Sequence, residues 1–99
     1  MANQLRILAS AEADIEEVVH WYEDQESGIG LEFLRYVGIC LKHIERNPHL
    51  YPVIHKTFRR ALVRRFPFAV YYEVQGGVVL IYAVLHCAQH QNRWRARLQ

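Results

Sequence analysis

The sequence is short of cysteine and of long apolar runs, and each shortage removes a class of protein. Its two cysteines, Cys40 and Cys87, stand far apart and form no C-x-x-C pair, so a disulfide framework is excluded and two reduced thiols are expected. No apolar run approaches the ~20 residues that a membrane-spanning helix needs. The opening stretch Met1-Ala2-Asn3-Gln4-Leu5-Arg6 lacks the basic-then-apolar layout of a secretory signal. The expected location is therefore the cytoplasm, with no membrane partner. There are no internal repeats, low-complexity tracts or flexible linkers, and the 99 residues suit one domain over 1–99. A chain this short buries only about two-thirds of the surface exposed by its unfolded form, which makes a stabilising partner plausible.

Acid is nearly missing from the second half. Residues 51–99 carry eight Lys/Arg against one acid, Glu73, a balance of +7. Residues 1–50 carry four Lys/Arg against nine Asp/Glu, a balance of −5. The modest net charge of +2 thus hides one acidic and one basic region, and the basic one suits nucleic acid or an acidic protein segment.

What is present is a change of period along the chain. Leu5 to Leu8 suits a first strand. Ser10 offers an N-cap hydroxyl, with Glu12 and Asp14 near the helix start where the dipole favours acid. Ala11, Ile15, Val18, Val19 and Tyr22 then recur at helical spacing, which predicts a helix over roughly 10–26. Gly28-Ile29-Gly30 breaks it. A second apolar stripe follows at Leu34, Val37, Leu41 and Ile44, widened by Leu31, Phe33 and Cys40, until Asn47-Pro48 stops it. Two helices so closely joined form an antiparallel hairpin.

After Pro52 the runs 58–63, 66–74 and 78–85 read as strands, the last two joined by a Gly76-Gly77 hairpin turn. Alternation sets Phe68, Val70, Tyr72 and Val74 on one face, with Ala69, Tyr71 and Glu73 on the other. The unbroken apolar run 78–85 suits a central strand covered on both faces. Residues 90–98 suit a short basic helix carrying Trp94. The predicted order is β-α-α-β-β-β-α, an α+β domain with a helical hairpin on a small, mainly antiparallel sheet.

Several local motifs accompany that order. They are Ala13-Asp14-Ile15-Glu16-Glu17 leading to Trp21-Tyr22-Glu23, Gly30 with Phe33-Leu34, and Asn47-Pro48 with Tyr51-Pro52. Further on come Arg59-Arg60-Ala61-Leu62, Arg65-Phe66-Pro67-Phe68, Val70-Tyr71-Tyr72, Ala83-Val84-Leu85-His86 and Arg93-Trp94. Together they resemble the RelE/ParE superfamily of toxins from type II toxin–antitoxin systems, closer to its ParE-like members. The resemblance covers nearly the whole chain and implies a toxin neutralised by a cognate antitoxin. ParE-like members inhibit growth by binding DNA gyrase. RelE-like members cut messenger RNA on the ribosome, using basic residues and often a Tyr or His on the concave sheet face. Ala69 and Cys87 stand here where RelE-like nucleases carry arginines, and Ala88-Gln89 replaces further basic residues. A third reading is a degenerate member that only binds its antitoxin.

RNA cleavage needs a base, an acid, and cations around the phosphate. His86 is the acid/base candidate for that chemistry, against the alternative of a packed strand-end histidine. Arg59, Arg60, Arg64, Arg65 and Arg93 are the candidates for contact with a target or nucleic acid, against the alternative of a solvated face. Alternation along one strand would pair Arg60 with Arg64 and Arg59 with Arg65. His86, Cys87 and His90 carry ligand chemistry, but the change from strand to helix between them argues against a common geometry, so no metal or other cofactor is expected. Trp21, Tyr22 and Tyr36 read as packing residues, and Trp94 as the anchor of a charged helix.

Overall fold

The computed structural model describes residues 4–88 and 91–99. Strand β1 (Gln4–Ile7) leads into helices α1 (Ala9–Gln25) and α2 (Ile29–Arg46). Four strands follow, β2 (Val53–His55), β3 (Phe58–Leu62), β4 (Phe68–Gln75) and β5 (Val78–His86), and then helix α3 (Gln91–Arg97). They form one sheet in the order β1-β5-β4-β3-β2. Every pairing is antiparallel except β1 with β5, which run parallel because the helical hairpin carries the chain across between them. The α+β order matches the sequence reading, with β2 as an additional short strand.

Both faces of the sheet are covered. On the hairpin face Phe68, Val70, Tyr72, Val79, Ile81 and Val84 pack against Ala11, Ile15, Phe33, Val37 and Ile44. On the opposite face Ala69, Tyr71, Ala83 and Leu85 pack beneath Trp94 and Leu98 from the C-terminal segment. The β4 alternation is the one expected. In β5 it inverts partway. Tyr71 pairs with Ala83 but Tyr72 pairs with Ile81, leaving Tyr82 as an extra, bulged residue. Ile81 therefore faces the hairpin while Ala83 faces α3, and His86 ends on the hairpin side with its ring 5.0 Å from Phe68.

Beyond Ile7 the free edge of β5 is completed by α1. The Leu8 N–H donates to the Ile81 carbonyl at 3.0 Å, and the Ser10 hydroxyl donates to the Tyr82 carbonyl at 2.8 Å. The Val84 N–H then donates to the Asp14 carboxylate at 3.0 Å. Ser10 is thus a strand partner within the helix rather than its cap. The cap position is Leu8, which makes no side-chain capping bond. Asp14 also takes two bonds from Arg97, at 2.9 and 3.1 Å, and its side chain is only 14% exposed. One carboxylate so joins α1, β5 and α3.

The hairpin turn is held by Glu23. Its carboxylate accepts N–H bonds from Gly28 at 3.0 Å, Gly30 at 2.7 Å and Leu31 at 3.4 Å, serving the free amides at the start of α2 from the preceding helix. These bonds, the Gly28 amide foremost, hold the carboxyl below its ordinary pKa. Gly28 sits at φ 96°, which glycine adopts without strain. Gly30 is required by space, because a Cβ there would lie 2.5 Å from both the Val19 carbonyl oxygen and Glu23 Cγ.

The α2 stripe is rotated from the expected one. Phe33, Val37, Cys40 and Ile44 are buried, whereas Leu31 and Leu34 are exposed. Gly30→Ala should therefore lower stability by about 2 kcal/mol or more through overpacking. Gly38→Ala, where an added methyl meets nothing within 4 Å, should raise it by about 0.5–1 kcal/mol. Urea midpoints test both, and equal tolerance at the two positions would contradict the close approach at Gly30.

Candidate functional site

The arginines singled out in the sequence do not converge. Arg59 Nη1 donates to the carbonyls of Tyr51 at 2.6 Å and His49 at 3.2 Å. The Tyr72 hydroxyl donates to the Pro48 carbonyl at 2.6 Å, so the connection after α2 is pinned twice from the sheet. Burial pushes the Tyr72 hydroxyl up to about 12, against the opposing effect of Arg59. Arg59 is thus a structural clamp.

Arg60 lies on the other face beside the Tyr71 hydroxyl. Burial raises the Tyr71 pKa and the Arg60 bond opposes that rise. Arg64 and Arg65 do not end a strand as expected, because β3 closes at Leu62 and both residues occupy the following turn. Arg65 adopts φ 69°, so the alternation that would pair these residues with Arg60 and Arg59 stops short of them. Instead Arg65 sits 5.5 Å over the Tyr36 ring, which Arg35 also approaches at 5.9 Å.

Of the five arginines singled out, Arg93 is the one that shares a cleft with His86. The two line a cleft of about 150 Å³ with Asp14, Glu17 and Arg97. His86 Nδ1 accepts the Ala88 N–H at 3.0 Å, a local bond that closes the strand end. Acids as well as arginines line this cleft, so it is of mixed charge.

Ala69 is fully buried under α3, and Cys87 is exposed just past β5 with its N–H donating to the Pro67 carbonyl at 2.7 Å. The face on which Ala69 lies holds a cluster missed by the sequence reading. Trp94 stacks on Tyr71 at 5.9 Å and 24°, and meets the His55 ring at 5.8 Å. His55 Nε2 is buried without a hydrogen-bond partner among the described residues. His55 lies on a three-residue strand, too short for periodicity to announce it. Tyr22 packs with Phe33, Phe66 and Phe68 as expected, while Trp21 remains 57% exposed and touches Tyr22 by its edge.

A broad depression lies between the helical hairpin and the end of β1. It encloses about 370 Å³ between Ile7, Ile15, Val19 and Leu34, with Glu12 and Glu16 at its margin. Among the described residues no group of three His, Cys, Asp or Glu side chains could hold a metal ion. His90 lies outside the described residues. No helix among them is long and apolar enough to cross a membrane.

A parallel edge strand, a helical hairpin over an otherwise antiparallel sheet and a small closing helix define the architecture of the RelE/ParE-type toxins. Within that class the family model for the ParE toxin of the type II toxin–antitoxin system, parDE, matches residues 5–91. The chain belongs to the ParE toxin family. Its fold is similar to a solved structure of the chromosomal ParDE TA system from P. aeruginosa. The TM-score is 0.78 at 17% identity, over 86% of this chain and 96% of that one. No curated protein sequence matches this chain.

If Arg59 is a clamp, Arg59→Ala should cost about 1.5–3 kcal/mol, the worth of charge-assisted bonds. Arg93→Ala, at an exposed position, should move stability by no more than about 0.5 kcal/mol. Paired denaturation curves decide it, and an unchanged Arg59→Ala curve would remove the clamp.

Proposed function

We propose that this ParE-family chain inhibits growth by binding and blocking an essential cytoplasmic partner, for which DNA gyrase is the family precedent. A cognate antitoxin neutralises it. The observation that carries this reading is the use made of the sheet face opposite the hairpin. Where nuclease relatives keep a polar, arginine-bearing surface, Ala69, Ala83, Tyr71 and Leu85 form a core closed by Trp94 and Leu98. His86 lies across the sheet from that face, against Phe68. A surface closed in this way favours binding over catalysis.

The antitoxin is best accommodated on the hairpin. An apolar depression between Ile7, Ile15, Val19 and Leu34 suits an amphipathic segment, and Glu12 and Glu16 favour basic residues along that segment's margin. Covering it would also bury Leu34, which the free chain exposes.

Induced expression of the wild type should halt growth with a DNA-damage response, and the purified chain should inhibit gyrase supercoiling. His86→Ala should remain toxic. Rapid translation arrest with cleaved transcripts, lost in His86→Ala, would instead establish the ribosome-dependent nuclease, with mRNA on the ribosome as the partner. Soluble protein without any growth effect would leave only an antitoxin-binding role. Leu34→Asp should abolish co-purification with the product of the neighbouring antitoxin gene while toxicity persists. Retained co-purification would move the antitoxin off the hairpin.

A further inference from the structure

The acidic first half of the chain keeps three of its four basic residues on one helix. Arg35, Lys42 and Arg46 all lie in α2, and all three are exposed. A helix turns about 100° per residue, so positions 35, 42 and 46 fall within roughly 40° of one another. That sets them on the ridge turned away from the buried stripe of Phe33, Val37, Cys40 and Ile44. The three span about 17 Å along the helix axis. The acids of α2, Glu32 and Glu45, lie roughly 60–80° round the helix to either side of this ridge. The helix dipole accounts for Arg46 in the last turn, but not for Arg35 or Lys42.

The turn after β3 widens this ridge into a band. Arg65, held at φ 69°, lies over the Tyr36 ring, which Arg35 approaches from α2. Arg64 lines a small depression of about 80 Å³ beside it, with Tyr36, Ile39, His43 and Tyr51. Five exposed cations from α2 and the turn therefore occupy one side of the molecule. Stacking on an aromatic ring holds a guanidinium in place, so less freedom is lost when an anion arrives. A helix ridge is convex and offers a polypeptide strand no main-chain edge to pair with. It suits a regular row of anions better. A DNA duplex carries one charge per about 1.7 Å of axis, which is about five phosphates per strand over the length of the ridge. A single strand would need bare aromatic faces for its bases, and the Tyr36 ring is already taken by arginines.

We propose that the outer ridge of α2, with Arg64 and Arg65, binds the phosphate backbone of duplex DNA without regard to sequence. The choice of DNA over duplex RNA rests on the gyrase reading, because an enzyme that supercoils DNA holds that duplex beside whatever blocks it. The band is distinct from the depression between Ile7, Ile15, Val19 and Leu34, where Glu12 and Glu16 repel phosphate.

The probe is a fluorescein-labelled DNA duplex of about 20 base pairs, titrated by anisotropy with the full chain and without gyrase. Affinity should fall with salt at a log–log slope of about −3 to −4, as about four counterions are released. The triple variant Arg35→Glu, Lys42→Glu, Arg46→Glu should bind at least about tenfold more weakly and flatten that slope. A matched triple of the same charge change, Arg6→Glu, Lys56→Glu, Arg95→Glu, should lose less than about threefold at about 0.15 M salt, where distant charges are screened. Wild-type protein gives an independent reading, because its only lysines are Lys42 and Lys56. Bound duplex should shield Lys42 but not Lys56 from acetylation by an N-hydroxysuccinimide ester, read by mass spectrometry. Absence of binding, equal shielding of the two lysines, or equal losses in the two triple variants would each overturn the proposal. So would tighter binding of duplex RNA, an oligothymidine or an oligoaspartate. The supercoiling assay stands apart from all of these, so the gyrase reading and the DNA contact fail separately.

Discussion

A central strand buried on both faces still needs hydrogen-bond partners along both edges, and β5 obtains the last of them from Asp14. Strand β1 is only four residues long, so it leaves the far part of that edge to Leu8, Ser10 and Asp14 of the chain that follows. Asp14 is the hardest of these to replace. Its carboxylate takes a strand amide and the Arg97 guanidinium together in a largely enclosed place. An unmet amide in such a place costs more than a surface ion pair returns. The orientation of α1 on the sheet and of α3 across its end are therefore set at one side chain.

From that junction the division of the molecule follows. The hairpin occupies one face of the sheet and the C-terminal segment the other, so a domain of this size has two small cores instead of one. The bulge at Tyr82 reconciles them, allowing a single strand to supply Ile81 to the first core and both Ala83 and Leu85 to the second. It also carries His86 to the hairpin side, away from Arg60, Tyr71 and His55. The groups that could support acid–base chemistry are parted by the thickness of the sheet, while apolar groups such as Leu31, Leu34 and Leu62 stay exposed on the outside.

Much of this was legible in the sequence where the signal is local. Helical spacing marked both helices, Gly76-Gly77 marked the hairpin, and alternation assigned the two faces of β4 correctly. What was not legible depends on distant partners. Ser10 has the chemistry of a cap, but its acceptor lies 72 residues away. Asp14 reads as helix-start acid until Arg97 arrives from 83 residues further along. The bulge leaves no trace in an unbroken apolar run, because both parities look alike when every residue is apolar. The turn at Arg64-Arg65 hid for the opposite reason, since Arg65 takes a left-handed conformation usually left to glycine or asparagine. The candidate site therefore dispersed although the fold held.

The two depressions carry opposite electrical signs, Glu12 and Glu16 beside one and Arg64 with Arg65 near the other. A surface of this kind is complementary to itself, head to tail. Such a contact uses different patches on the two molecules, and unless the rotation closes it propagates instead of stopping at a pair. The attraction is between exposed charges and is screened by salt over about a nanometre. Self-association through these two patches would accordingly weaken as ionic strength rises. A polypeptide that covered either pole would stop such head-to-tail growth.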